Sequence, residues 1–234
     1  MRRAIIGDTH GRSLWKRLAF HKDIDEIVFI GDYVDSWDIP GSAQVENFLD
    51  IIAYKKSSEK IVKMLIGNHD RQYFKNSTET YSGFQEANAT VIRHVFEENM
   101  EHLQMAYAFG NTVCTHAGVG DYWLGATLYK GDFSAQSIAD HVNWVWKERP
   151  DLFDFSGIDG YGDDITQTPI WIRPQSLFAG SQKIALAGTK QVVGHTGVRD
   201  LIYREDMPFT MIDVLSSQDK VLVEENGVFS VLEF

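Results

Sequence analysis

Short apolar, β-branched runs recur along this 234-residue chain, and each closes on a glycine beside a polar residue. Ala4-Ile5-Ile6 runs into Gly7-Asp8-Thr9-His10-Gly11, and Glu26-Ile27-Val28-Phe29-Ile30 into Gly31-Asp32-Tyr33-Val34-Asp35. Ile61-Val62-Lys63-Met64-Leu65-Ile66 leads to Gly67-Asn68-His69-Asp70. Val113-Cys114 leads to Thr115-His116-Ala117-Gly118, and Gln191-Val192-Val193 to Gly194-His195-Thr196. Runs of this length and composition predict buried parallel strands. A strand that ends in Gly-Asp delivers a carboxylate to the carboxyl edge of a sheet, where open α/β folds place their ligands.

Between these runs the period changes. Ser13 is placed to cap a helix through about His21, with Leu14, Trp15 and Leu18 on one face. Pro40-Gly41-Ser42 opens a second helix, in which Val45, Phe48, Leu49 and Ile52 keep helical spacing and Lys55 and Lys56 fall in the last turn. This β-α-β-α-β opening predicts parallel strands with right-handed crossovers. Further on, Phe74 to Asn88 reads as a loop with a short helix, and Val91 to Met100 as a helix. Leu103 to Phe109 and Thr112 to Thr115 flank a hairpin turn at Gly110-Asn111. Asp121 to Lys130 and Ala135 to Lys147 read as helices, and the Gly/Asp-rich stretch from Asp151 to Asp164 as a loop. The end reads as strands over Leu201 to Arg204 and Phe209 to Val214, then a hairpin turning at Asn226-Gly227. Neither a repeat nor a domain boundary is visible, so residues 1–234 are expected to form one domain.

Composition adds exclusions. The net charge of −11 argues against general nucleic-acid binding, which needs clustered Lys and Arg. One cysteine excludes an intramolecular disulfide framework. No segment approaches the length of apolar chain that spans a membrane, and no signal-peptide apolar region follows Met1-Arg2-Arg3. The expectation is a cytoplasmic enzyme that works without a membrane.

The polar residues at the strand ends carry the chemistry. Asp8, Asp32, Asn68, His10, His116 and His195 offer mixed oxygen and nitrogen donors, a set that suits a pair of transition metals better than Mg²⁺ or Ca²⁺. Asp32 is the candidate for a carboxylate shared between two ions. Asp70 is expected to bond neighbouring backbone, and Cys114 to be a small core residue.

In their order, these five motifs resemble the metallophosphoesterase (calcineurin-like) superfamily, and within it the bacterial and phage-type phosphoprotein phosphatases. The resemblance spans residues 7 to 196. It implies an α/β fold, a two-sheet β-sandwich flanked by helices, with a dinuclear metal centre at the strand ends. It implies that Asp8 and His10 hold one ion, that Asp32 bridges, and that Asn68, His116 and His195 hold the other. The ions implied are divalent transition metals, Mn²⁺ first, with Fe, Zn²⁺ or Ni²⁺ as alternatives. His69 becomes the general acid, oriented by Asp35, and a metal-bridging hydroxide the nucleophile. The substrate implied is a phosphorylated one, either a phosphoprotein or a small phosphomonoester or nucleotide.

Three features bear on the branch. His195 is followed by Thr196-Gly197 where many members carry a second histidine, which disfavours nuclease and cyclic-nucleotide branches. Ser36-Trp37 stands where phosphatases carry Arg-Gly, so one phosphate-binding arginine is missing from its usual place. The second family arginine matches Arg173, in Trp171-Ile172-Arg173-Pro174, and Arg71 is the nearest substitute for the lost one. The expected function is a dimetal phosphomonoesterase. A dinucleoside polyphosphate hydrolase is the rival among enzymes, and a binding module that has lost activity is the rival outside them.

Overall fold

In a computed structural model, residues 1–77, 80–156, 159–203 and 207–234 are described. Parts of two expected loops (78–79 and 157–158) and the end of an expected strand at Arg204 lie outside them. Among the described residues the chain forms two sheets and eight α-helices. The six-stranded sheet contains β1 (Arg2–Ile6), β2 (Glu26–Phe29), β3 (Ile61–Leu65) and the two-residue β4 (Leu103–Gln104), all parallel. The C-terminal hairpin of β9 (Lys220–Glu225) and β10 (Val228–Glu233) joins it antiparallel to β1. The four-stranded sheet runs β5 (Ala106–Phe109), β6 (Thr112–Thr115), β7 (Lys190–Val193), β8 (Phe209–Met211), antiparallel in its first pair and parallel thereafter.

Alternation along the strands explains why two sheets stack. Ile5, Val28 and Leu65 point to one face of the larger sheet and meet Cys114, Val192 and Phe109 of the smaller one. Ala4, Ile6, Ile27, Phe29 and Met64 point to the other face and pack against the crossover helices α1 (Trp15–Ala19) and α2 (Gly41–Ser57). The helix α4 (Ala89–Glu98) closes this layer through Ile92 and Phe96. On the outer side of the smaller sheet, α6 (Ala135–Glu148) buries Ile138 and Val142 in the same cluster as Val113. The short helices α3 (Asn68–Arg71), α5 (Asp121–Ala126), α7 (Pro174–Gly180) and α8 (Gln182–Leu186) complete the set. The two-sheet sandwich flanked by helices is therefore what the chain forms.

The differences from expectation lie where local signals were weak. The first helix is only five residues long, and no side chain caps it, so Ser13 does not serve as its cap. Leu103 to Phe109 divides between the two sheets: β4 pairs with β3, and β5 with β6. The helix expected to Lys130 ends at Ala126. Among the described residues of that expected strand, Leu201 to Tyr203 contribute a single bridge, Ile202 to Met211, and β8 stops at Met211 rather than Val214. Helices α7 and α8 had no sequence expectation: α7 begins at a proline in its first turn, and buries Leu177 against Phe209 and Met211.

Candidate metal centre

The parallel strands of both sheets deliver their carboxyl ends to one place. Asp8 follows β1, Asp32 follows β2 by way of Ile30, Asn68 opens α3 just after β3, and His116 and His195 follow β6 and β7. The sheets are linked there by polar bonds. The His116 ring bonds the carbonyl of Ile30 at 2.9 Å and His195 N–H donates to Asp8 Oδ2 at 3.0 Å, while within the smaller sheet Gly194 N–H donates to the His116 carbonyl at 2.8 Å. Five of the six sequence-predicted donors are thereby gathered, and the sixth, His10, reaches to 3.8 Å from Asp32.

Backbone strain accompanies this convergence. His10, Asp32, Asp35 and His195 all adopt left-handed conformations, with φ of 42°, 52°, 67° and 62°. Asp and His are among the residues that tolerate this region, yet each such residue costs conformational energy that its surroundings must supply. Glycines admit the close approaches. A Cβ on Gly67 would overlap Asp32 Oδ1, and one on Gly194 would overlap Asp8 Oδ1.

Each imidazole has one nitrogen committed. His10 Nδ1 donates to the Val34 carbonyl (2.5 Å), His116 Nδ1 to Ile30 and His195 Nε2 to Trp171 (3.1 Å). The opposite nitrogens turn inward. His10 Nε2 is 3.8 Å from Asp32 Oδ2, His116 Nε2 is 3.3 Å from the same oxygen, and His195 Nδ1 is 3.0 Å from Asn68 Oδ1. A carbonyl bond at one ring nitrogen fixes the tautomer that leaves the other a lone pair for a metal.

The electrostatics point the same way. Asp8 and Asp32 are buried, and with His116 their ligand atoms all lie within 4.8 Å of one another. Burial, and then the neighbouring Asp213, push the Asp8 carboxyl well up. Burial opposes the charge on Asp32 too, but His116 and His69 hold that carboxyl far below the usual range. Burial likewise disfavours protonated His116, yet Asp32 and Asp8 raise it to about 10. Buried carboxylates in this number require positive charge between them, and inward lone pairs can share it. The donor set fits divalent transition-metal ions.

Beside the donors, His69 Nδ1 lies 3.0 Å from Asp35 Oδ2, and the His69 backbone N–H donates to Asp32 Oδ1 at 2.9 Å. Asp35 is buried and also accepts bonds from Gln72 and Tyr73. Burial works against a charged His69, but Asp32 and the bond to Asp35 raise its pKa overall. Asp70 accepts from the N–H groups of Asp32, Tyr33 and Gly67 at 2.8 to 2.9 Å, bonding backbone as expected. Arg173 donates to the His195 carbonyl and Thr196 Oγ1, both at 3.1 Å, and its guanidinium stacks 4.4 Å above the Tyr161 ring.

Arg71 corrects the sequence reading. It is wholly buried, paired with Asp154 at 2.7 Å and bonded to Asn76 and the Pro150 carbonyl, away from the candidate centre. Its charge braces the loop after α6 and is not available to a phosphate. Asp213 was missed. It follows β8 as Asp8 follows β1, but Ile212 stands where the other strands have glycine, so the signal was a strand-then-carboxylate step without its glycine. Burial and Asp32 raise Asp213 to about 6, and it lines a cavity of about 240 Å³ together with His10, Asp35 and His69.

Comparison with known proteins accords with this geometry. The family model for calcineurin-like phosphoesterases matches residues 1–207. No curated protein matches the chain. A cold-active protein-tyrosine phosphatase of a psychrophilic Shewanella species is 13% identical, with a TM-score of 0.61 over 99% of this chain and 80% of its own. A protein serine/threonine phosphatase from Saccharomyces cerevisiae is 17% identical, with a TM-score of 0.59 over 100% of this chain and 80% of its own. A protein provisionally assigned as a diadenosine tetraphosphatase is 17% identical, with a TM-score of 0.52 over 99% and 93%. At these identities the likeness is one of fold.

The burial of Arg71 gives a direct check. Arg71→Ala strands Asp154 in the fold and is expected to cost about 3–5 kcal/mol of stability in urea denaturation, as removal of one partner of a buried pair does. Metal content of the folded fraction should not change. Normal stability with weakened phosphate binding would restore Arg71 as a clamp.

Proposed function

The chain belongs to the calcineurin-like phosphoesterase family, whose members are metal-dependent hydrolases of phosphoric esters, and from that membership we propose a two-metal phosphomonoesterase of the protein Ser/Thr phosphatase type. The observation that carries this reading is the His69–Asp35 pair, 3.0 Å apart and beside Asp32. A histidine whose pKa is raised keeps a proton for a leaving oxygen, which an alkyl phosphate needs.

In this reading Asp8, His10 and Asp32 hold one divalent ion, and Asp32, Asn68, His116 and His195 the other. Mn²⁺ is the first choice, with Fe, Zn²⁺ or Ni²⁺ as alternatives. When bound, two such ions supply a water of lowered pKa and neutralise charge on the phosphoryl group. Arg173, tied to the His195 carbonyl, clamps phosphoryl oxygens by charge and hydrogen bonding. His69 Nδ1 is engaged by Asp35, so Nε2 gives its proton to the departing alkoxide. Asp35 fixes the ring and favours its charged form. The substrate is a phosphoprotein or a small phosphomonoester, met in the cytoplasm.

A second reading, hydrolysis of dinucleoside polyphosphates, is favoured by Trp37. Its side chain is 83% exposed and lines the same cavity as His10 and His69, where an indole can stack on a base.

Four outcomes test these readings. Mn²⁺-saturated protein should hold two equivalents of metal by elemental analysis, and Asp32→Asn should deplete both sites; a single equivalent in folded, saturated protein refutes the dinuclear centre. His69→Asn should lower kcat on an alkyl phosphate by about 10²–10⁴, with a smaller loss on p-nitrophenyl phosphate, whose leaving group scarcely needs a proton. Because the Asp35 bond raises His69, Asp35→Asn should bring the alkaline loss of activity to lower pH. Equal losses of kcat on both esters would make His69 a positioning group. Trp37→Ala should leave phosphopeptide turnover unchanged; selective loss on diadenosine tetraphosphate would favour the nucleotide reading instead.

A further inference from the structure

The family arginine that Ser36-Trp37 replaces would have come from the loop after β2. The structure brings a different arginine to that loop. Arg12 leaves the first motif just after Gly11, and its backbone N–H bonds the Thr9 carbonyl at 2.7 Å. Its Nη2 reaches Asp38 Oδ1 at 3.1 Å and Oδ2 at 3.3 Å. Asp38 is itself held by Ser36 Oγ at 2.6 Å, and the Ser36 N–H donates to the buried Gln44 of α2 at 3.1 Å. A guanidinium from the first strand end is thus anchored to the very segment that lacks one, and that segment is anchored to a helix.

This arginine shares a cavity with residues of the centre. Arg12 lines the 240 Å³ cavity together with His10, Asp35, His69 and Asp213, and its positive charge acts on both His10 and Asp213. Arg173 stands beside His195, so the two arginines serve different donor groups of the centre. Both side-chain bonds of Arg12 run from one nitrogen, and among the described residues Nε and Nη1 have no partner. The pair with Asp38 is an exposed one on the carboxylate side, and such pairs contribute little net stability. A planar fork with two free donors is suited to two oxygens of one phosphoryl group.

We propose that Arg12 is the second phosphate-binding arginine of this protein and that it selects dianionic phosphomonoesters over diesters. The proposal rests on the phosphomonoesterase reading and adds the residue that gives it substrate preference. A diester offers fewer free oxygens and one less negative charge to a bidentate donor. Asp38 holds the guanidinium in place for the anion and limits the entropy lost on binding.

The test uses metal-loaded full-length protein with inorganic phosphate as the probe, and p-nitrophenyl and bis-p-nitrophenyl phosphate as substrates. Arg12→Ala should weaken phosphate binding in calorimetry by about 10-fold or more, as loss of a charged hydrogen bond does. It should raise KM for the monoester by a similar factor, change the diester little, and leave metal content at the wild-type value. Arg12→Lys, which keeps charge but loses the fork, should fall between. Unchanged phosphate affinity in Arg12→Ala, or equal losses on monoester and diester, overturns the proposal. If Arg12→Ala folds poorly, Arg12→Gln is judged by the same affinity and the same ratio. Should the wild type hydrolyse only diesters, the phosphomonoesterase reading fails, while the phosphate titration still decides whether Arg12 binds the anion.

Discussion

Asp32 is the residue to which the rest of the centre is oriented. It is buried, its backbone is left-handed, and the His10 N–H and the His69 N–H bond to its carbonyl and its carboxylate. His116 comes from the other sheet to within 3.3 Å of the same carboxylate. Asp70 holds the Asp32 N–H from beneath. A carboxylate so enclosed cannot be stabilised by water, so its charge must be met by imidazoles, backbone dipoles and cations brought to it. The two sheets have to end at one height for that to happen, which is why both are parallel where they meet the centre.

The same charge separates roles among chemically similar residues. His10 and His195 are driven toward neutrality, by burial first, and in His195 also by the charges of His116 and Arg173. His69 goes the opposite way, because Asp32 and Asp35 outweigh its burial. A neutral ring offers a lone pair and a charged ring a proton; His116, raised to about 10 by Asp32 and Asp8, would have to give up its proton to serve as a ligand, as metal binding requires.

That the six candidate donors and His69 with Asp35 come together was legible in the sequence because strand, glycine and polar residue recur in register. That signal reports where a strand stops and what it delivers, and parallel pairing makes the deliveries converge. Asp213 escaped because Ile212 replaces the glycine, and it lies beyond residue 207, where the family match ends. The role of Arg71 also escaped. Its partner Asp154 is 83 residues away, and adjacency to a motif says nothing about which way a side chain turns. The left-handed conformations of His10, Asp32, Asp35 and His195 are invisible to any periodicity, because tertiary bonds impose them. The helices α7 and α8 are short and held by single buried side chains, Leu177 against the smaller sheet and Ile184 in the main core, with little local pattern of their own.

The bond between His195 and Asp8 joins residues 187 apart, and it sets an order of events during synthesis. A growing chain emerges from the N-terminus, so Asp8, Asp32 and Asn68 are present long before the segment that contains His195. Closing so long a loop carries an entropic cost that short-range contacts do not share, and non-local pairing of this kind slows folding. Until β7 has left the ribosome and docked beside β6, His116 is the early carboxylates' partner from the second sheet and His195 is still missing. The nascent chain therefore holds an acidic half-site without a complete catalytic apparatus. Hydrolytic capacity becomes a property of the finished polypeptide alone.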